Sequence, residues 1–212
     1  FVDGVAVKSL DEKGEVILDK TPFYAEMGGQ VSDTGMMKNA SFEAEVTAVS
    51  VATNTQHLHA IEVKFGALKV GDKVTLSIDS ARRRLIERNH SATHLLHKAL
   101  GDVLGTHVDQ KGSYVDENYL RFDFAFNRKL SAEELRQIEE EVNAKIAEAI
   151  PEVTEVLPIE EAKKRGAEME FAEKYGANVR VVEFADFSRE FCGGTHVKNS
   201  SDIGVFALVE EG

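Results

Sequence analysis

Residues 79–105 read DSARRRLIERNHSATHLLHKALGDVLG and mark a change of pattern in the chain. Between Leu85 and Leu104 the apolar residues recur at helical spacing, which predicts one long amphipathic helix. Asp79 and Ser80 are suitable N-cap residues, and Gly105 is a typical helix end. The stretch therefore predicts a helix that begins near residue 80, together with a domain boundary at that point.

The chain before residue 80 has a different periodicity. Short segments rich in β-branched residues are separated by Gly, Asp and Asn, and residues 42–49 alternate with a period of two. These features predict a small antiparallel β-barrel domain over residues 1–80, without a helix. The predicted strands are residues 2–10, 15–18, 42–51, 58–65 and 73–78.

The chain after residue 80 mixes helical and strand-like patterns. A second helix is predicted from Ser131, where Glu134 completes a capping box, to about Ile150 before Pro151, and a third over residues 159–175. Residues 81–212 are therefore expected to form an α+β domain with a mainly antiparallel sheet packed against helices. The predicted strands are residues 119–124, 153–157, 179–184 and 203–209.

Composition limits the class of protein. The 212 residues are 42% hydrophobic, and no apolar stretch approaches the roughly 20 residues that a bilayer requires, so we expect a soluble, cytoplasmic protein without a membrane partner. The single cysteine, Cys192, cannot form an internal disulfide, which fits a reducing compartment. The first residue is Phe1 rather than Met, so we expect a piece of a longer polypeptide with further domains.

The net charge of −12 argues against a surface that binds nucleic acid everywhere, because Lys and Arg dominate phosphate binding. Two local basic runs are exceptions: one combines residues 82–84 with Arg88, and the other is residues 163–165. Each run is either a nucleic-acid contact or an ordinary solvated helix face.

Two pairs of residues have the spacing of metal ligands. His90 and His94 project from one face of the predicted helix, where Thr93 adds to the polarity. Cys192 and His196 are also four apart, and the two glycines between them permit a tight turn. A mixed nitrogen and sulfur set favours Zn²⁺ over Mg²⁺ or Ca²⁺. Four protein ligands leave open whether such an ion is structural or catalytic.

Other histidines compete with these four. His57 and His59 alternate on a predicted strand, and we interpret both as surface residues. His97 follows His94 by one helical turn, either as a hydrogen-bond partner of the ligands or, by preference, as a solvated residue.

Several motifs together resemble the editing region of alanyl-tRNA synthetases and their freestanding editing relatives. The resemblance rests on the Gly-rich segment 21–35 (TPFYAEMGGQVSDTG), the pair His90 and His94, and the segments 105–113 (GTHVDQKGS), 120–124 (LRFDF) and 192–196 (CGGTH). It covers nearly the whole chain, and segment 21–35 distinguishes it from threonyl enzymes. One departure is residues 168–171 (EMEF), where the family has a more apolar run.

The resemblance implies a fold shared with the threonyl-tRNA synthetase editing domain, and zinc bound by the four residues that match. It implies hydrolysis of the ester of seryl- or glycyl-tRNA(Ala), with the acceptor end and the other synthetase domains as partners and ATP binding confined to the full-length protein. Gln110 would recognise the serine hydroxyl, and zinc would either activate water or position the substrate. The alternatives are a freestanding trans-editing deacylase and a non-catalytic, zinc-stabilised tRNA-binding module. The predicted substrate and tRNA contacts are Gly28, Gly29, Thr93, Arg82, Arg83 and Arg88.

Overall fold

The computed structural model describes residues 1–105, 108–169 and 176–211. The chain divides into two compact units, residues 1–84 and residues 85–212. Both contain antiparallel sheets, and helices contribute to the second, so the prediction of an α+β protein with antiparallel sheets is confirmed. No helix among the described residues combines the length and the apolar character needed to span a membrane.

The first unit is built around a five-stranded antiparallel sheet with the order β2-β5-β4-β3-β7, and β1 pairs with β6 in a separate two-stranded sheet. The strands are β1 (Ser9–Leu10), β2 (Lys13–Ile17), β3 (Gly35–Asn39), β4 (Phe42–Val51), β5 (His57–Gly66), β6 (Leu68–Lys69) and β7 (Thr75–Ile78). The pairings of the described residues run from β2 to β7 without joining these two strands, so the predicted closed barrel is not found.

The alternation of β4 explains the core of this unit. Phe42, Ala44 and Val46 are at most 1% exposed, because alternate side chains of a strand point to the same face and this face packs in the core, whereas Glu43 and Glu45 face away from it. Bulges interrupt the register with β5 between Glu43 and Ala44 and after Val46. The predicted long strand over residues 2–10 is wrong, since only an isolated bridge and β1 lie there.

His59 belongs to this core and is fully buried, so its interpretation as a surface residue is wrong. Its Nδ1 lies 3.1 Å from the carbonyl oxygen of Val16, and its Nε2 lies 2.8 Å from Oγ1 of Thr21. The neutral imidazole satisfies both contacts when Nδ1–H donates to Val16 and the Thr21 hydroxyl donates to Nε2. Burial holds the pKa of His59 below its usual value of 6.5.

This burial predicts a pH-dependent stability of the first unit. Because the folded pKa of His59 is lowered, the unfolded chain takes up a proton near pH 6.5 that the folded unit excludes. We therefore expect the contribution of His59 to the free energy of unfolding to be full above that pH and to fall as the pH decreases below it. Urea unfolding of the wild type and of His59→Gln at about pH 7.5 and about pH 5.5 checks this. An equal pH dependence in the two proteins would contradict it.

The second unit contains a hairpin of β8 and β9 and a three-stranded antiparallel sheet with the order β10-β11-β12. Helix α1 (Ser80–Leu104) begins in the first unit and continues into the second. The remaining elements are β8 (Gln110–Val115), β9 (Leu120–Phe124), α2 (Ala132–Ala147), β10 (Glu152–Pro158), α3 (Ile159–Lys164), β11 (Asn178–Phe184), β12 (Ser188–Phe191) and a 3₁₀ turn (Ser200–Ile203).

The predicted helix starts are confirmed because their signals are local. The side chain of Asp79 accepts hydrogen bonds from the backbone of Ala81 and Arg82 at the start of α1, and Ser131 and Glu134 form the complete capping box of α2. One apolar face of α1 packs in a core shared with Ile138 of α2.

Two predictions in this unit fail. The third helix ends at Lys164 and Gly166 has a φ of 75°, so its predicted continuation over residues 165–169 is wrong, and residues 170–175 lie outside the described part. Residues 204–209 have no regular structure, so the predicted strand over 203–209 is also wrong. The structure of these two segments depends on tertiary contacts with distant parts of the chain, which local sequence patterns do not reveal.

Candidate metal centre

Four side chains from two separate elements converge in the second unit. Helix α1 supplies His90 and His94, and the loop after β12 supplies Cys192 and His196. Their ligand atoms all lie within 4.8 Å of one another, and the three histidines are at most 7% exposed. The four residues predicted as metal ligands are thus brought together in a group that could hold a metal ion.

The distances suit a tetrahedral ion. The Cys192 sulfur lies 3.4 Å from Nε2 of His90 and 3.2 Å from Nε2 of His196. Typical zinc–sulfur and zinc–nitrogen bond lengths place the two atoms about 3.5 Å apart in a tetrahedral site. Nδ1 of His94 is buried and has no hydrogen-bond partner among the described residues, which leaves a lone pair for an ion.

Burial keeps the histidines in the form that binds metals. Burial, aided by the positive charge of Arg180, lowers the pKa of His90 to about 4. The pKa values of His94 and His196 lie well below the usual range, again because of burial first and then neighbouring imidazoles. A metal ligand must be a neutral imidazole, so the cluster needs little free energy of deprotonation at neutral pH.

Arg180 on β11 holds the loop that carries the sulfur. Its guanidinium donates to the carbonyl oxygens of Cys192 at 2.7 Å and of Gly194 at 2.9 Å. The backbone N–H of Gly194 lies 3.4 Å from the Cys192 sulfur and donates to it. Composition and spacing did not single out Arg180, because its role depends on a contact 12 residues away across the β11–β12 hairpin.

Ser91 orients His196 from the helix. Its Oγ lies 3.1 Å from Nδ1 of His196 and also accepts a hydrogen bond from the backbone N–H of Val197 at 3.1 Å. Since Nδ1 is engaged by Ser91, Nε2 of His196 is the nitrogen that faces the sulfur.

His97 is 4% exposed, so its interpretation as a solvated residue is wrong, and its ring contacts Glu190 and the carbonyl oxygen of Val108. Burial lowers its pKa, but the hydrogen bond and the negative charge of Glu190 outweigh burial and raise the pKa of His97 to about 9. Burial raises the pKa of Glu190. Glu190, two residues before Cys192, was not predicted as a site residue.

The Gly-rich segment 21–35 forms a structured loop of the first unit. Gly28 and Gly29 have φ values of 62° and 83° and lie between Met27 and Gln30, whose backbones exchange hydrogen bonds. Both central residues of this turn need positive φ, which glycine adopts at little cost. The segment therefore contains a tight turn, and a ligand contact at the glycines stays a prediction.

The two predicted tRNA contacts at the start of α1 bind this segment. Nε of Arg83 donates to the carboxylate of Asp33 at 2.7 Å, and Nη1 of Arg82 donates to the carbonyl oxygen of Ser32 at 2.7 Å. Asp33 is 2% exposed and also accepts from the backbone N–H of Tyr24. A structural role thus accounts for both arginines, and their predicted contact with tRNA stays a prediction.

The other predicted contacts lie in the second unit. Gln110 begins β8 and donates through Nε2 to Oγ of Ser113 at 3.1 Å. The Thr93 hydroxyl donates to the carbonyl oxygen of Asn89, one turn earlier in α1, and Arg88 is exposed. Residues 106 and 107 of the segment before Gln110 lie outside the described residues.

Comparison with known proteins places this architecture among tRNA synthetases. Residues 4–82 match the family model "tRNA synthetases class II (A)", and residues 179–212, which include Cys192 and His196, match "Threonyl and Alanyl tRNA synthetase second additional domain". The two matches cover most of the first unit and the end of the second.

Relatives along the whole chain identify the branch. Alanine--tRNA ligases of Paraburkholderia phytofirmans, Listeria innocua and Leptospira biflexa are 49%, 50% and 50% identical over 100% of the chain, which covers 24%, 24% and 23% of their lengths. Along its whole length the chain is therefore similar to alanyl-tRNA synthetases. It spans about a quarter of the length of these relatives.

Proposed function

We propose that the chain is the editing segment of an alanyl-tRNA synthetase and hydrolyses the ester that joins serine or glycine to tRNA(Ala). The observation that supports this most is the convergence of His90, His94, Cys192 and His196 within one unit. An editing site accounts for this cluster without the ligation reaction. The cluster also lies in a chain whose relatives are alanine--tRNA ligases. These relatives are about four times longer, which favours editing in cis over a freestanding deacylase.

Alanine requires editing for a physical reason. It lies between glycine and serine in size, and one methylene contributes only ~1–3 kcal/mol to discrimination in a binding pocket. A site that excludes by size alone would accept glycine and reject serine. Serine must therefore be recognised through its hydroxyl.

We propose that Gln110 provides this recognition. Its amide can donate to a hydroxyl and accept from one, and in the free protein it already donates to the hydroxyl of Ser113. A seryl ester can take part in such a contact, whereas an alanyl ester offers the half-buried amide no hydroxyl, and a lost hydrogen bond of this kind costs ~1–3 kcal/mol.

We propose Zn²⁺ as the ion, held by His90, His94, Cys192 and His196. When bound, it would supply a Lewis acid that acts on water or on the substrate carbonyl or amino group. Four protein ligands would leave no open position for a bound hydroxide, so we favour an ion that organises the pocket and orients the substrate, or one at which the substrate replaces a loosely held ligand. The imidazoles would bind the ion in their neutral form, and Arg180 would hold the loop that carries Cys192. Neighbouring groups would then assist the attacking water.

Release of serine is the test of the function. We expect the purified protein to release serine from seryl-tRNA(Ala) faster than alanine from alanyl-tRNA(Ala). Tight binding of seryl-tRNA(Ala) with no release of serine would show a zinc-stabilised binding module instead and would refute the deacylase.

Gln110→Ala is expected to reduce the ratio of seryl to alanyl ester hydrolysis by about tenfold, the equivalent of ~1.4 kcal/mol of lost discrimination. The measurement is the rate of amino-acid release from both substrates. Gln137→Ala is the matched control, because Gln137 is an exposed glutamine on α2 that contacts Glu133. An unchanged ratio in Gln110→Ala would show that this residue does not recognise the hydroxyl.

A further inference from the structure

A second cluster of polar side chains lies beside the four candidate ligands and consists of His97, Glu168 and Glu190. Nδ1 of His97 lies 3.3 Å from Oε1 of Glu190 and 3.4 Å from Oε2 of Glu168. Its Nε2 lies 2.8 Å from the carbonyl oxygen of Val108 and donates to it. Both ring nitrogens of His97 are therefore engaged within the protein.

Glu190 connects this cluster to the metal centre. Its Oε2 lies 3.5 Å from Nε2 of His94, while Oε1 faces His97 and accepts from Oγ of Ser188 at 3.5 Å. The other nitrogen of His94, Nδ1, is the buried atom without a hydrogen-bond partner. Metal-binding histidines typically donate the N–H that does not face the ion to a carboxylate, which fixes the tautomer and the ring orientation. Oε2 of Glu190 lies 3.5 Å from Nε2 of His94, the nitrogen that such a hydrogen bond would use.

The backbone fixes the position of Glu190. It lies in β12 opposite Val182 of β11 and forms a parallel bridge with Glu168, whose carbonyl oxygen accepts from the N–H of Phe191 at 3.0 Å. Cys192 follows two residues later. One strand end thus supplies a metal ligand and a carboxylate that contacts another ligand on α1.

The second cluster has the residue types of a cation site, but its hydrogen bonds favour a proton. Nε2–H of His97 donates to the carbonyl oxygen of Val108. The other ring nitrogen, Nδ1, faces one carboxylate oxygen of Glu168 and one of Glu190. A proton on Nδ1 makes the contact with Glu190 a charge-assisted hydrogen bond and places a positive charge beside the Glu168 carboxylate. The cluster is then complete without an ion.

We propose that Glu190 is a positioning residue for the metal centre. Its carboxylate holds the imidazole of His94 in the orientation of a ligand. Glu190 also contacts His97, which donates to the carbonyl oxygen of Val108. Val108 lies two residues before Gln110, the first residue of β8, so these contacts connect the metal centre to the start of that strand. This inference rests on the proposed function, because it takes His94 as a zinc ligand.

The test measures metal binding rather than activity. Zinc affinity is measured by competition with a chromophoric chelator, and ligand geometry by the visible absorption of the Co²⁺-substituted protein. We expect Glu190→Ala to weaken zinc binding about 10–100-fold and to alter the Co²⁺ spectrum. Glu190→Gln keeps an oxygen acceptor for His94 and is expected to recover part of the affinity.

Glu183→Gln is the matched control. Glu183 lies on β11 with a side chain only 14% exposed and pairs with Arg189 at 2.6 Å, so the control removes an equally shielded charge away from the ligands. It is expected to bind zinc as the wild type does.

Each outcome separates the two proposals. Wild-type zinc affinity and a wild-type Co²⁺ spectrum in both Glu190 variants would overturn the positioning role. It would also be overturned if the wild type bound two Co²⁺ ions per chain and Glu190→Gln bound one, because the second cluster would then be a metal site. Glu190→Gln keeps the size of the side chain and decides the matter if Glu190→Ala does not fold. A wild-type protein that binds no zinc would instead refute the proposed function.

Discussion

Cys192→Ala is expected to lose zinc and, with it, the release of serine from seryl-tRNA(Ala). The sulfur lies within 3.4 Å of Nε2 of both His90 and His196, so its removal leaves three of the four candidate ligands. Loss of a group that only orients a ligand typically costs about 10–100-fold in metal affinity, and loss of a ligand itself should cost more. Zinc content and zinc affinity of the purified variant measure the effect.

The control for this change is His57→Ala, which removes a potential ligand from the first unit, outside the cluster. We expect it to retain zinc and serine release. A Cys192→Ala protein with wild-type zinc affinity would show that the sulfur is not a ligand. A variant that retains zinc yet releases no serine would assign the sulfur a direct part in hydrolysis.

Phe184→Ala is expected to lower the free energy of unfolding of the second unit by about 3–5 kcal/mol, because it leaves a large cavity in a close-packed core. Phe184 is fully buried at the end of β11, and its ring lies 6.4 Å from the ring of His196 in an edge-on contact. Urea unfolding followed by circular dichroism at the helical band reports this unit, since α2 and α3 lie wholly within it.

Val156→Ala is the matched control for the core substitution. Val156 is 69% exposed on β10, the strand that pairs with β11, and we expect a change within about 0.5 kcal/mol. A loss below about 1 kcal/mol for Phe184→Ala would contradict the close packing of this core.

The sequence predicted those parts of the fold that depend on neighbouring residues. The starts of α1 and α2 follow from Asp79 and from the Ser131 capping box, which act within one turn. Strand β3 and the open form of the sheet were missed, because Gly35–Asn39 has little β-branched character and is held by pairing with both β4 and β7.

The candidate site divides in the same way. The four-residue spacing of His90 and His94, and of Cys192 and His196, is visible in the sequence and predicted the cluster. The groups that hold these ligands come from distant positions: Glu190 approaches His97 across 93 residues, and Ser91 approaches His196 across 105. Such contacts follow only from the packing of α1 against the sheet.

Release of serine from seryl-tRNA(Ala), measured on chelator-treated protein before and after return of Zn²⁺, tests the central claim most directly. We expect the treated protein to be inactive and Zn²⁺ to restore serine release, with alanyl-tRNA(Ala) hydrolysed slowly throughout. Full release of serine by a protein shown to contain no zinc would contradict a role for the His90, His94, Cys192 and His196 cluster in editing.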